Sequence, residues 1–218
     1  MDPLIAALET ELERWTAVVR RNPNNPQAYI RRGMAFFQLA QIEASIWDFD
    51  RAEKLNPEIT PFLWQRGLAY YYANCYEAGA QQFELDLTVN SQDVEETVWR
   101  YLCLARGRSL ETANSTLLEV RTDPRPVMCR IYDFYAGHCA AEDVLATGRE
   151  DGLRGKFYSH LYLGLYAEAA GDADNAQQWI STATNDYAIN DYMWHVARVH
   201  LAVRGWRQPA RVTAALSS

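Results

Sequence analysis

Apolar residues recur at three- and four-residue steps from the beginning of the chain. Leu4, Leu8, Leu12, Trp15 and Val19 make one stripe, which predicts a helix over 3–21 with Asp2 as its cap and Pro3 in its first turn. The run NPNNP at 22–26 predicts a turn. Residues 26–57 then read as two helices that break near Ala40–Gln41. Gly33 and Ser45 let those two helices approach closely, while Tyr29, Phe36 and Phe49 fill the space between layers. Pro57 stops the second helix, because it cannot extend the hydrogen-bond ladder.

The pattern returns with a fixed period. A step of 34 residues carries Gly33 to Gly67, Phe36 to Tyr70 and Phe49 to Phe83, and carries Trp15 to Phe49. Helix 3–21 therefore reads as the second half of a repeat. Residues 60–91 form the next one, with Thr60 as a cap and Pro61 in the first turn. The third is degraded: Tyr101 stands where glycine belongs, Gly107 forces the turn, and a short helix is expected over about 109–118. Asp123-Pro-Arg-Pro126 then breaks the helix. Two short helices near 127–136 and 140–147 lead into a glycine-rich loop, GREDGLRG (148–155). Residues 157–188 repeat the spacing with Gly164, Ala176, Ile180 and Ala183, and a last helix over about 190–204 precedes Pro209. The expected organisation is one solenoid over 1–218. Its parts are a capping helix (1–25), two regular repeats (26–93), a degenerate repeat with an irregular helical pair (94–156), a further repeat (157–188), and a capping helix with tail (189–218).

Composition narrows the function. A net charge of −7 argues against general nucleic-acid binding, and 49% hydrophobic with 22% charged residues fits a soluble folded chain. Cys75, Cys103, Cys129 and Cys139 have no metal or redox spacing and are expected to be small, buried and reduced. The acidic N-terminal stretch is unlike a targeting signal, and no apolar run reaches the length of a membrane span. A cytoplasmic or other reducing soluble compartment is the expectation.

The landmarks Tyr29, Gly33, Phe36, Ser45, Phe49, Ala52 and Pro57, with Arg-Gly at 32–33 and 66–67 and LNP at 55–57, resemble a tetratricopeptide repeat. The runs DPRPVM, YSHLYLGLYAEA and YMWHVARVHL are similar to uncharacterised tetratricopeptide proteins of algae, plants and bacteria. The resemblance implies an all-α, right-handed helical solenoid of about 12 helices whose first helices line a concave groove. It assigns to that groove Ile30, Met34 and Phe37, then Trp64, Leu68 and Tyr71, then Val98, Leu102 and Ala105. The Lys, Asn and Arg with which co-chaperone members clamp a C-terminal carboxylate are missing at these positions, so the implied ligand surface is apolar. Trp64 and Tyr71 are its expected anchors, with Arg106 and Gln38 at the margins. The groove is either open or filled by the terminal helix.

Arg32, Arg66 and Arg100 also recur at 34, as do Asp50 and Glu84. One salt bridge per layer, Arg32 to Asp50 and Arg66 to Glu84 or an acid of the adjacent layer, is the structural expectation; an anion-binding ladder is the functional one. Catalysis has little to stand on. His195 and His200 are about 140° apart on a helix, His138-Cys139 lacks an orienting third group, and GREDGLRG lacks the Lys-Ser/Thr of a phosphate loop. No catalytic residue, metal or cofactor is expected. The leading expectation is a protein–protein interaction scaffold or adaptor that takes a hydrophobic or helical segment. A homo-oligomeric structural protein with a self-filled groove is the alternative.

Overall fold

The computed structural model describes residues 2–206. Pro209 and the rest of the expected tail lie outside them. Twelve α-helices and a 3-10 turn follow one another among the described residues, with no β-strand. They are α1 (Pro3–Arg21), α2 (Pro26–Gln38), α3 (Ile42–Leu55), the 3-10 turn (Pro57–Phe62), α4 (Trp64–Tyr72), α5 (Tyr76–Leu87), α6 (Val94–Gly107), α7 (Leu110–Ser115), α8 (Pro126–Tyr135), α9 (Ala141–Glu150), α10 (Gly152–Ala169), α11 (Ala173–Asp186) and α12 (Tyr192–Val203). Neighbours in sequence pack on one another along most of the chain, which makes an all-α helical solenoid.

Local chemistry sets the ends of these helices. Asp2 accepts a hydrogen bond from the backbone N–H of Leu4 at 2.9 Å, with Pro3 beginning α1. The turns between paired helices share a left-handed residue: Ala40 (φ 58°) and Asn74 (φ 60°), then Gly137 (φ 75°) and Gly171 (φ 84°). Each of these two pairs is separated by 34 residues. The α8–α9 hairpin is therefore in step with α10–α11, although its sequence carries none of the repeat's glycine and aromatic landmarks.

Inside the hairpins a glycine faces a bulky side chain 16 residues later. A Cβ at Gly33 would meet Phe49 at 3.3 Å, one at Gly67 would meet Phe83 at 2.7 Å, and one at Gly164 would meet Ile180 at 2.5 Å. Ala176 lies under the same crossing, its carbonyl 3.2 Å from the place a Gly164 Cβ would take. These helices cross so closely that only hydrogen fits.

Three expectations are corrected. Thr60 and Pro61 do not start α4; they sit inside the 3-10 turn, which Asn56 caps at Glu58 N with a 3.1 Å bond, and α4 begins at Trp64. The stretch 148–155 is helix rather than loop, interrupted only at Asp151. Its glycines serve a helix crossing, since a Cβ at Gly148 would lie 2.5 Å from Ser159 Oγ and 2.8 Å from the Gly155 carbonyl. Finally, the four cysteines are free thiols, but only Cys103 is buried and Cys75 is exposed.

The arginines pair as a stack of rungs, with a shift in partner. Arg32 makes a two-pronged bond to Asp48 rather than Asp50, both contacts at 2.7 Å. Asp48 faces α2 from inside the hairpin, whereas Asp50 is left for the next layer. Arg66 accordingly reaches back to Asp50 and Glu53, at 3.2 and 2.8 Å, and forward to Gln82 at 2.8 Å. Arg100 reaches back to Glu84 at 2.8 Å. All three guanidinium groups are thus spent inside the stack, Arg32 within its own hairpin and Arg66 and Arg100 on the hairpin before.

Apolar burial falls into two groups. A small cluster around Val19, Ala28, Tyr29 and Ala52 joins α1, α2 and α3. A continuous core runs from Phe37 through Leu201. The described part of the chain also curls until its first and last helices come together: α12 packs on α2, and Arg198 reaches Asp2 at 3.3 Å.

Candidate functional site

Six of the nine residues assigned to the groove lie in the interior. Phe37, Leu68, Tyr71, Val98 and Leu102 are each 0% exposed, and Ala105 is buried with them. Their cover comes from the same chain. Phe37 stacks on Tyr192 of α12 with ring centroids 6.0 Å apart, and Tyr71 donates a hydrogen bond to Glu168 of α10 at 2.9 Å. Beside it Tyr72 shares a 3.2 Å hydrogen bond with His200 Nδ1. Ile30, Met34 and Trp64 are only half-buried.

Glu168 is the centre of a buried charge knot. Arg204 bonds its carboxylate directly, Arg106 stands 3.9 Å away, and His200 Nε2 3.7 Å away. Burial alone would raise the Glu168 pKa, but His200 in its protonated form, Arg204 and Arg106 outweigh it and hold it low. Burial acts the other way on His200, pushing it down to about 4 against the pull of Glu168, so the imidazole is neutral near pH 7. The knot ties α4, α6, α10 and the end of α12 together. Arg106, expected at a groove margin, contributes from there, reaching Tyr76 Oη at 3.3 Å and the Glu168 carbonyl at 3.4 Å.

The accessible concavity lies at the other end of α12. A cleft of about 600 Å³ opens between the 3-10 turn, α4, α6, the N-terminus of α8, α10 and the N-terminus of α12. Its apolar walls are Trp64, Phe83, Trp99 and Tyr192. Trp64 meets Tyr192 edge-on at 5.3 Å, and Phe83 stacks on Trp99 at 6.4 Å. Its charged groups are Asp93, Glu95, Glu96 and Asp191 against Arg125 and Arg154. A second hollow, about 340 Å³, is lined by Ile30, Met34, Ile59 and Leu63. Phe62, 62% exposed, lines both, so the two form one surface with an aromatic ridge.

The charges in the cleft are unevenly matched. Arg125 is held by Asp123, at 2.9 and 2.8 Å, and by Glu95. The Asp123–Arg125 pair lies within the Asp123-Pro-Arg-Pro126 turn. Glu95 also accepts a bond from Tyr162 Oη at 2.9 Å, and Arg154 is held by Asp191. Asp93 caps α6, accepting from Glu96 N at 3.0 Å and from Asn90 Nδ2 at 3.0 Å. That leaves two carboxylates, Asp93 and Glu96, with no arginine among the described residues. Burial pushes Glu96 up to about 8, and Asp93, Asp86 and Glu95 add to the effect.

Three polar atoms of the cleft's lining are shielded from solvent and have no hydrogen-bond partner among the described residues: Glu96 Oε2, Trp99 Nε1 and Tyr192 Oη. Such orphans are rare in folded proteins. Glu96 and Trp99 are three residues apart on α6 and so share a face. Neither, nor Tyr192, was among the residues assigned to binding. The signal was faint: an acid pair opening α6 and a tryptophan one place beyond Val98. Among the described residues no group of three His, Cys, Asp or Glu side chains is placed to hold a metal ion, and no helix is long and apolar enough to cross a membrane.

No family model matches the chain. It is 25% identical over 128 residues to Protein SGT1 homolog of Bos taurus, an alignment that covers 58% of this chain and 36% of that protein. The chain thus spans about a third of the length of this curated relative.

Proposed function

We propose that this chain is a protein-interaction module of the tetratricopeptide type, an adaptor without catalytic chemistry of its own. The partner segment docks on the surface that runs from the Ile30–Met34 hollow over Phe62 into the Trp64 cleft. The observation that carries this reading is the exposure of Phe62 between two concavities, because an aromatic ridge flanked by hollows gives a docked segment both an anchor and pockets. The 25% identity to the SGT1 homolog and the fixed 34-residue period support the tetratricopeptide assignment. Two hollows bridged by a ridge suit an extended or helical segment with spaced hydrophobic anchors.

A random peptide display library selected on the full chain tests the reading. Selected peptides should lose at least tenfold in affinity for a Phe62→Ala/Trp64→Ala double variant that melts normally. Peptides that bind the variant as well as the parent would place the interaction elsewhere. The self-pairing alternative rests on a separate observation, the 60% exposure of Trp47 on the outer face. Light scattering over a concentration series decides it: an adaptor keeps a monomer mass, and a self-pairing protein gains mass with concentration.

A further inference from the structure

The Trp64 cleft is not simply apolar. Its lining carries four acids and two arginines, and both arginines are already bonded to acids. The acids in excess are Asp93 and Glu96, the second of which burial keeps mostly protonated near pH 7. Around them stand Trp64, Trp99 and Tyr158, whose ring faces attract cations. Trp99, 2% exposed, holds an N–H that nothing accepts, and the shielded Tyr192 hydroxyl lacks a partner too. A bare hydrophobic anchor would satisfy none of these groups. An acidic segment would meet the unpaired carboxylates and be repelled. What fits is a cation joined to a hydrogen-bond acceptor, which is what a basic residue in a peptide offers.

We propose that the cleft receives an arginine or lysine side chain of the partner segment, with its cationic head on Glu96 and Asp93 and its backbone carbonyl on the Trp99 N–H and the Tyr192 hydroxyl. This rests on the protein-interaction reading above and names the chemistry of the residue that enters. Charge complementarity selects it. The Arg154–Asp191 and Arg125–Glu95 pairs line the same cleft and keep their own acids out of the exchange. Binding also draws a proton off Glu96, which faces Asp93, Asp86 and Glu95, with Arg125, Arg154, Tyr158, Asp191 and Tyr192 lining the same cleft.

The test uses the full chain and three capped tripeptides, Gly-Arg-Gly, Gly-Lys-Gly and Gly-citrulline-Gly, the last a neutral isostere of the first. Titration is followed by calorimetry and by the indole N–H resonance of Trp99 in nitrogen-15 spectra. The arginine or the lysine peptide should shift that resonance and bind at least tenfold more tightly than the citrulline peptide, and the stronger of the two identifies the preferred cation. Glu96→Gln should remove that preference, and Tyr192→Phe should weaken binding severalfold. Should Glu96→Gln fail to fold, the parent protein still decides: affinity for the cationic peptide should rise from pH 6.5 to 9 as Glu96 ionises. Equal binding of citrulline, or no response of Trp99 to either cation, overturns the proposal. Display-selected peptides that need Phe62 and Trp64 yet carry no basic residue would leave the adaptor reading standing and remove this one alone.

Discussion

Tyr71 donates its hydroxyl hydrogen to Glu168, 97 residues further along the chain, at 2.9 Å. This bond fastens α10 over the floor that α4 and α6 would otherwise present to a ligand. Removing either partner has unequal consequences. Tyr71→Phe takes away one donor and should cost about 1–2 kcal/mol. Glu168→Ala strands Arg204, Arg106 and the neutral His200 in the interior and should cost about 3–5 kcal/mol. Urea unfolding monitored by circular dichroism compares the two; equal losses would mean the arginines find solvent once Glu168 is gone.

Trp64 and Tyr71 should likewise part company under substitution. Tyr71 is fully enclosed, so Tyr71→Ala opens a cavity and should lower stability by about 3–5 kcal/mol. Trp64 is half-buried at the mouth of the cleft, and Trp64→Ala should cost less than half as much. Thermal melts of the single variants check the ranking.

Ala40 holds a left-handed backbone at φ 58° in the α2–α3 turn, a conformation that costs any residue bearing a Cβ. Ala40→Gly is expected to stabilise the protein by about 0.5–1 kcal/mol, despite the entropy that glycine adds to the unfolded chain. A fall in the urea midpoint would show that the turn is unstrained.

Gly67→Ala tests the helix crossing. The added methyl would lie 2.7 Å from the buried Phe83 ring, which must shift to admit it. A loss of about 1–3 kcal/mol is expected in spite of alanine's better helix propensity. Phe83→Leu in the same chain should recover part of it, and additive losses in the double variant would place the clash elsewhere.

Asp86 makes stability depend on pH. Burial, partly offset by Gln82 and Arg66, raises its pKa to about 7. The folded state therefore holds this proton more tightly than the unfolded chain does. The resulting stability is full below about pH 4 and is lost as pH rises through 7. Relative to Asp86→Asn, whose side chain stays neutral, the parent protein should lose about 2–4 kcal/mol between pH 4 and 7.5. Parallel urea titrations of both proteins measure the difference, and a flat difference would mean that Asp86 is ionised throughout.

The helices were legible because each writes its own period. Leu4 to Val19 states a helix that the structure places at Pro3–Arg21. The Gly33–Phe49 step states a crossing that the coordinates realise with a constant 16-residue offset. What escaped the sequence depends on contacts between distant segments. Nothing near Tyr71 in the chain announces Glu168. Arg32 had two acids within reach on α3, and only the facing of Asp48 toward α2 decides between them. GREDGLRG looked like a loop because glycine serves turns and tight helix crossings alike, and only the neighbouring Ser159 tells the two uses apart. The cleft was hardest, since Glu96, Trp99, Arg125 and Tyr192 come from two helices and the approach to a third, and no period links them.

The contact between Arg198 and Asp2 changes what kind of object the stack is. An open array of repeats has two free ends, from which it frays one unit at a time, and it tolerates the insertion of another unit anywhere along its length. Here α12, the last described helix, packs on α2 and meets the cap of α1, so fraying at one side of the described stack is coupled to the other. Duplicating one 34-residue hairpin would force α12 off α2 rather than lengthen a rod. Hydrogen exchange should therefore report a single opening event shared by α2 and α12, where an open array would show a gradient from tip to middle.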